Sequence, residues 1–332
     1  MSAEVLPEQW PAWLAVALAG SFVATWAWQH WARRRGVLDQ PEERRLHAEA
    51  TPRGGGIGIA LALLLVVPAQ GVPAWAFVPG LLLVAGIGLV DDLRPLPAWA
   101  KALGQALGAA PLAWALPLEP AWLGPLAGAA VAWLLIVALV NIWNFMDGSN
   151  GLAGSQALLF GLSLAALAEG PARWLGLVLA AACAGFLPLN FPRARVFLGD
   201  VGSHALGFAV AAGVLMAGQG GVPFWLALLP ACVFLVDAGL TLLARLRRGE
   251  RFWEAHREHL YQRAIAAGLG HAPVCLGYGL VSAGLGLAAV ALARSAPATG
   301  LAGAAGLLAA VLLAYMILRR RWPMAPRSLE LQ

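Results

Sequence analysis

The side chains able to do chemistry are confined to a few short polar stretches of an otherwise apolar chain. In the first, "LLLVAGIGLVDD" ends in Asp91 and Asp92 and leads into "LRPLPAWAKALGQ". Two adjacent carboxylates at a helix end repel each other and meet the negative end of the helix dipole, a cost that a bound cation relieves. A solvated loop start is the plain alternative. The second stretch, "NIWNFMDGSNGLAG", spaces Asn141, Asn144, Asp147 and Asn150 three residues apart. That spacing shares one face if the helix continues, while the glycines favour a turn. Amide and carboxylate oxygens suit a hard ion such as Mg²⁺, or a sugar-nucleotide; alternatively Asn150 caps the following helix.

The third stretch, "NFPRARVFLGDVGSHALGF", sets Asp200 among glycines just before an apolar run, with Arg193 and Arg195 upstream. An aspartate there is a candidate metal ligand, and helix-start amides can face a phosphate. Capping of the helix by Asp200 or Ser203 is the competing reading, and His204 reads as a packing histidine. The fourth, "RRGERFWEAHREHLYQR", offers His256 and His259 with Arg257 and Arg263, a surface suited to a diphosphate. Zinc is disfavoured, because no thiolate or third histidine has suitable spacing. Lys101 is the sole lysine, so a compact amine is singled out there. Arg53, in "HAEATPRGGGIGIA", sits beside glycines that let backbone and guanidinium approach a phosphate; a close-packed helix entry explains them equally well. Asp237 lies inside an apolar run, where acids are costly and mark either function or a bond to a neighbour such as Thr241.

The elements that must position these residues are membrane spans. Of 332 residues, 60% are hydrophobic and 12% charged, about half the charge of a soluble domain. Apolar runs predict eleven spans, at 10–32, 55–73, 76–91, 98–117, 121–141, 151–168, 172–190, 203–218, 222–244, 273–293 and 298–318. The expected fold is an all-α polytopic membrane bundle of about 11 transmembrane helices, one domain over 1–332 with a basic tail at 319–332. With the N-terminus outside and the C-terminus cytoplasmic, only Arg173 and Arg294 of the 22 basic residues fall outside. All four polar stretches then lie on the cytoplasmic face. The net charge of +5 follows from the same rule and implies no nucleic acid. Cys183, Cys232 and Cys275 have no paired spacing and read as core residues. The glycines near Arg53 miss the dinucleotide fingerprint, and without a Gly-Lys pair there is no P-loop.

In this order, "VDDLRPLPAWAK", "NIWNFMDGSNGLAG", "VFLGDVGS" and "HREHLYQR" resemble the polyprenyl-phosphate N-acetylhexosamine-1-phosphate transferases. The loop "HAEATPRGGG" is similar to that family's first inner loop, so the resemblance runs from about Asp39 to Arg263. It is nearest the bacterial branch that initiates O-antigen or related surface polysaccharides. The peptidoglycan branch, the alternative, has a histidine run where this chain has "HREHLYQR". The resemblance implies Mg²⁺-dependent transfer of a sugar-1-phosphate from a UDP-N-acetylhexosamine to undecaprenyl phosphate with release of UMP, Mn²⁺ being an admissible substitute. It carries Asp91 and Asp92 over as the carboxylate pair, with Asp92 and Asp200 as metal ligands and Asp147 as the nucleotide-side acid. Asn144, Asn150, Lys101, Arg53, His256, His259, Arg257 and Arg263 fall to substrate binding. Many relatives have an aspartate where Asn150 stands. The implied setting is the bacterial inner membrane with a cytoplasmic active site; a homodimer is compatible, since dimers occur among relatives.

From the residues alone, a carboxylate of the Asp91–Asp92 pair either takes the lipid phosphate's proton or keeps it ionised and aligned. A lipid flippase or transporter is the rival class, but such sites usually lie near the midplane on broken helices.

Overall fold

A computed structural model describes residues 9–39, 50–118, 124–251 and 256–323. Helices make up most of them, because without water each segment must satisfy its own backbone. In chain order they are α1 (Trp10–Arg35), α2 (Ile57–Val66), α3 (Ala74–Leu93), α4 (Ala98–Ala115), α5 (Pro125–Phe145), α6 (Leu152–Leu167) and α7 (Gly170–Asn190). There follow α8 (Gly199–Gln219), α9 (Phe224–Leu228), α10 (Cys232–Arg247), α11 (Leu260–Ala266), α12 (His271–Leu292) and α13 (Pro297–Arg321). The protein is a polytopic membrane helical bundle. Among the described residues, eight helical segments are long and apolar enough to cross a bilayer, and α2 and α6 are shorter apolar helices. One of the eight is interrupted: α9 and α10 are joined by a 3₁₀ turn, Leu229–Ala231, at Pro230. The remaining expected span is α4, whose 18 residues include Lys101, Gln105 and an internal Pro111.

Helix α8 is the axle of the bundle, buried at every residue from Val201 to Ala217. Its sequence, rich in Gly and Ala, permits this, because small residues let helix backbones approach closely. A methyl group added at Gly207 would come within 2.5 Å of the Leu139 carbonyl on α5. Gly88 of α3 leaves no room for a side chain against the Asp200 backbone. Gly161 of α6 and Gly176 of α7 meet in the same way. These contacts bring the ends of α3, α5 and α8 to one place.

A short strap, absent from an all-helical reading, completes that end. Strand β1 (Leu38–Asp39) pairs antiparallel with β2 (Thr51–Pro52). Residues 52–56 then bond to the segment before α8: Phe197 N–H donates to Pro52 O, and Gly55 and Gly56 N–H donate to Phe197 O and Leu198 O, each at 2.8 Å. Gly56 packs directly on Gly202, so a side chain at either position would separate the two segments. Residues 40–49 of the first inner loop lie outside the described residues.

One boundary differs from expectation. Arg319, Arg320 and Arg321 are the last turn of α13, not the start of a tail. Cations there complement the helix dipole and prolong the helix. Residues 324–332 lie outside the described residues.

Candidate active site

Five chain segments deliver the polar residues to one end of the bundle. Asp91 and Asp92 close α3, Lys101 is in the second turn of α4, and Asp147 lies in the turn after α5. Asp200 opens α8, and the strap brings Arg53 across. Arg53 donates from Nε to Asp92 Oδ1 at 2.9 Å, with Nη2 at 2.7 Å from the same oxygen. Its Nη2 lies 4.0 Å from both Asp91 and Asp200. Lys101 Nζ bridges Asp91 and Asp200, at 3.4 and 3.3 Å.

The two members of the aspartate pair do different work. Asp92 Oδ1 also accepts the Asp200 N–H at 3.0 Å, and Oδ2 accepts the Val201 N–H at 3.1 Å. Its side chain therefore satisfies first-turn amides of α8, where a negative charge is favoured. That carboxylate is 0% exposed, against 17% for Asp200, 24% for Arg53 and 28% for Lys101. With its oxygens taken by internal donors, Asp92 holds the start of α8 and the Arg53 guanidinium in place. Asp91, by contrast, binds Leu96 N–H at 2.7 Å through Oδ1 and turns Oδ2 to Lys101.

Asp147 faces the same cluster. The Gly199 N–H donates to its carboxylate, yet burial first, and then the Asp200 and Asp92 charges, hold its carboxyl well above the usual range. Asn144 donates to Ser203 Oγ at 3.1 Å, which fixes the end of α5 to α8. Asn141 bonds to Gln105, and Gln105 to the buried His204, in a polar seam between α4, α5 and α8. Asn150 donates to Pro192 O at 3.3 Å and does not cap α6; the Gly151 N–H at that helix start is met by Asn190 Oδ1 at 2.8 Å. Gln105 and Asn190, which the sequence reading passed over, and Ser203, read there as a helix cap, thus hold the asparagine-rich turn in place.

The histidine loop approaches Asp147 from the other side. Residues 252–255 lie outside the described residues. His256 and His259 have ring centroids 4.8 Å apart, and His259 stacks on Phe145 and Tyr261. Tyr261 donates its hydroxyl to Phe145 O at 3.1 Å and packs against Gly148, where no side chain fits. Burial, then His259 and Arg245, push the His256 imidazole down to about 4, so it is neutral at pH 7. Arg257 is exposed. Arg263 is not brought to the acids: it is buried, donating from Nε to Glu258 O at 2.8 Å and from Nη1 to Trp322 O at 3.4 Å. Arg245 and Arg248 pair with Glu258 at 2.7 and 2.6 Å and anchor the loop.

Asp91, Asp92, Asp147 and Asp200, when ionised, outnumber Arg53 and Lys101 by two charges, a surplus that suits a divalent cation. Among the described residues, no group of three or more His, Cys, Asp or Glu forms a ready-made metal cage. Mg²⁺ does not require one, since it is commonly held by one or two carboxylates together with substrate phosphates. Of the acids paired with Arg53, Asp200 and Asp91 are partly exposed, whereas the Asp92 carboxylate is fully buried.

Comparison with known proteins bears on what this arrangement serves. The sequence profile described as "Glycosyl transferase family 4" matches residues 74–218, from α3 to α8. A decaprenyl-phosphate N-acetylglucosaminephosphotransferase of Mycobacterium tuberculosis is 31% identical over 74% of this chain and 73% of its own length. The chain belongs to this transferase family. Its counterpart in Mycolicibacterium smegmatis is 29% identical over 93% of this chain and 88% of its own. A phospho-N-acetylmuramoyl-pentapeptide-transferase of Moorella thermoacetica is 35% identical, but over only 48% of this chain. As a family 4 member the protein is a membrane phosphosugar transferase, of the polyprenyl-phosphate N-acetylhexosamine-1-phosphate type that its motifs resemble.

Proposed function

We propose that the protein transfers an N-acetylhexosamine-1-phosphate from a UDP-sugar to undecaprenyl phosphate, releasing UMP, and so initiates O-antigen or a related surface polysaccharide. N-acetylglucosamine is the favoured sugar, because the M. tuberculosis and M. smegmatis relatives carry it in their names. The observation that carries the reading is the convergence of Asp91, Asp147, Asp200, Arg53 and Lys101 at one end of an apolar bundle. A cytoplasmic placement is supported by the arginines in the last turns of α1, α10 and α13 and by the sparse charge of the opposite loops.

In this reading an acceptor phosphate oxygen forms a bond to the sugar-bearing phosphorus of the donor. The bond from that phosphorus to the oxygen retained by UMP breaks, and UMP leaves with the electron pair. Two anions must meet, so charge screening and alignment dominate catalysis. Arg53 and Lys101 present positive charge beside the acids and align the phosphates. Asp91 steers Lys101 through the 3.4 Å contact. Asp200 and Asp147 are the residues that would hold Mg²⁺, which supplies screening of the phosphates and stabilisation of the leaving group when bound. Neutral His256, with the His259 ring beside it, offers a hydrogen bond to the donor's diphosphate. The polyprenyl tail lies in the bilayer beside the bundle.

The test is a panel of UDP-sugars with purified protein, undecaprenyl phosphate and Mg²⁺, scored for UMP. UDP-N-acetylglucosamine should release UMP only when the lipid phosphate is present, and chelation of the metal should stop it. Absence of UMP with every donor would overturn the proposal.

A further inference from the structure

Asp237 lies in the middle of α10, 1% exposed, and is not among the cluster's charged partners. A buried carboxylate persists only if its oxygens are satisfied, and here the donors come from three elements. Oδ1 accepts Leu260 N–H at 2.7 Å and Thr241 Oγ1–H at 3.4 Å, with His259 Nδ1 at 3.7 Å. Oδ2 accepts the Tyr278 hydroxyl of α12 at 2.6 Å and the Tyr261 N–H at 3.4 Å. Leu260 and Tyr261 are the first residues of α11, and His259 is its N-cap. One carboxylate therefore fixes where α11 begins, and it lies against the His259 ring.

What α11 carries gives this anchor its meaning. Tyr261 reaches from the Asp237 contact to Phe145 O, two residues before Asp147, and packs on Gly148, the residue after it. His259 stacks on Phe145 at 6.2 Å and lies beside His256. We infer that Asp237 is a positioning residue: it holds the His256–His259 loop against the Asp147 turn and so sets the grip on the donor's diphosphate. The inference rests on the transfer reaction proposed above. Asp237 touches no reacting group; it acts through His259 and Tyr261.

Two measurements on the full-length protein in detergent test this. Hydrogen exchange at the Leu260 and Tyr261 amides, without substrate, reads the anchor directly. In Asp237→Asn it should speed up about tenfold or more, the loss expected for a hydrogen bond to a charged acceptor. In the UMP assay, kcat/KM for the UDP-sugar should fall about tenfold or more, with KM for undecaprenyl phosphate within about twofold of wild type. The loss should vanish in a His259→Gln background, because two residues acting through one contact are not additive. Tyr261→Phe, which leaves the Asp237 partners in place, should show the same selective and non-additive loss, and it serves if Asp237→Asn fails to fold. Unchanged exchange and transfer, an equal loss for both substrates, or additive losses with His259→Gln would each overturn the inference. A wild-type protein that releases no UMP would instead remove the reaction, leaving the exchange result to decide on the anchor.

Discussion

Replacing Asp92 by Asn separates a structural aspartate from its neighbour. The carboxylate takes Arg53 at 2.9 and 2.7 Å and the amides of Asp200 and Val201 at 3.0 and 3.1 Å. An amide of the same shape offers one acceptor oxygen, and its NH₂ group must face some of those donors. Arg53 loses its nearest counter-charge, and its next carboxylate oxygens are 4.0 Å away. Removing one partner of a buried, hydrogen-bonded ion pair costs about 3–5 kcal/mol. Asp91→Asn gives up less, because Lys101 keeps Asp200 at 3.3 Å and the Leu96 amide can still be met by an Asn oxygen. One weakened charged hydrogen bond is worth about 1.5–3 kcal/mol. Thermal unfolding of both variants in one detergent, followed by tryptophan fluorescence, should rank wild type above Asp91→Asn and Asp91→Asn above Asp92→Asn. An Asp92→Asn protein that melts with wild type, or above Asp91→Asn, would refute the assignment of Asp92 to the start of α8.

Asp200→Asn should abolish UMP release while the protein still inserts and elutes as wild type; normal turnover would remove Asp200 from metal binding. Asp147→Asn should raise the melting temperature of the substrate-free protein and lose transfer. The Asp147 carboxyl is raised in the folded state, so ionisation is harder there than in the unfolded chain. Its penalty is absent below the ordinary carboxylate value of 3.8 and grows as pH rises above it, so the melting difference should open with pH. A gap that does not change with pH would count against that origin. The His256 imidazole is depressed to about 4 from 6.5, so the unfolded chain binds more protons between those values. Its contribution to stability is present above pH 6.5 and lost as pH falls towards 4, and His256→Gln should flatten the melting profile in that window. An unchanged profile would show that another group governs it.

Much of the helical scaffold was legible because span length and apolarity are local properties. The acids could be grouped on one face, since spans alternate direction. Their division of labour could not be read. What separates Asp92 from Asp91 is the Val201 amide, which lies far along the chain, and no local pattern announces that a carboxylate will be spent on another helix's backbone. Asn150 was open to the same confusion: its spacing suggested either ligand or cap, while the structure bonds it to Pro192 O and gives the helix start to Asn190. Arg263 belonged by composition to a phosphate-binding surface, but its guanidinium is directed to carbonyls of Glu258 and Trp322. Lys101 was marked by rarity, and its contacts with Asp91 and Asp200 give that rarity a physical context. The strap of β1 and β2 left no signal, since two-residue strands carry no periodicity.

That strap also constrains when the reaction centre comes into being. Gly55 and Gly56 are tied to Phe197 and Leu198, so the strap meets its partner segment at the start of α8 only after the polypeptide has been made through the seventh helix. During synthesis, Asp92 precedes by more than a hundred residues the Asp200 and Val201 amides that its carboxylate will accept. Contacts so distant in sequence form late. The four-acid cluster is therefore complete only once α8, which carries Asp200 and the amides that Asp92 accepts, is in place.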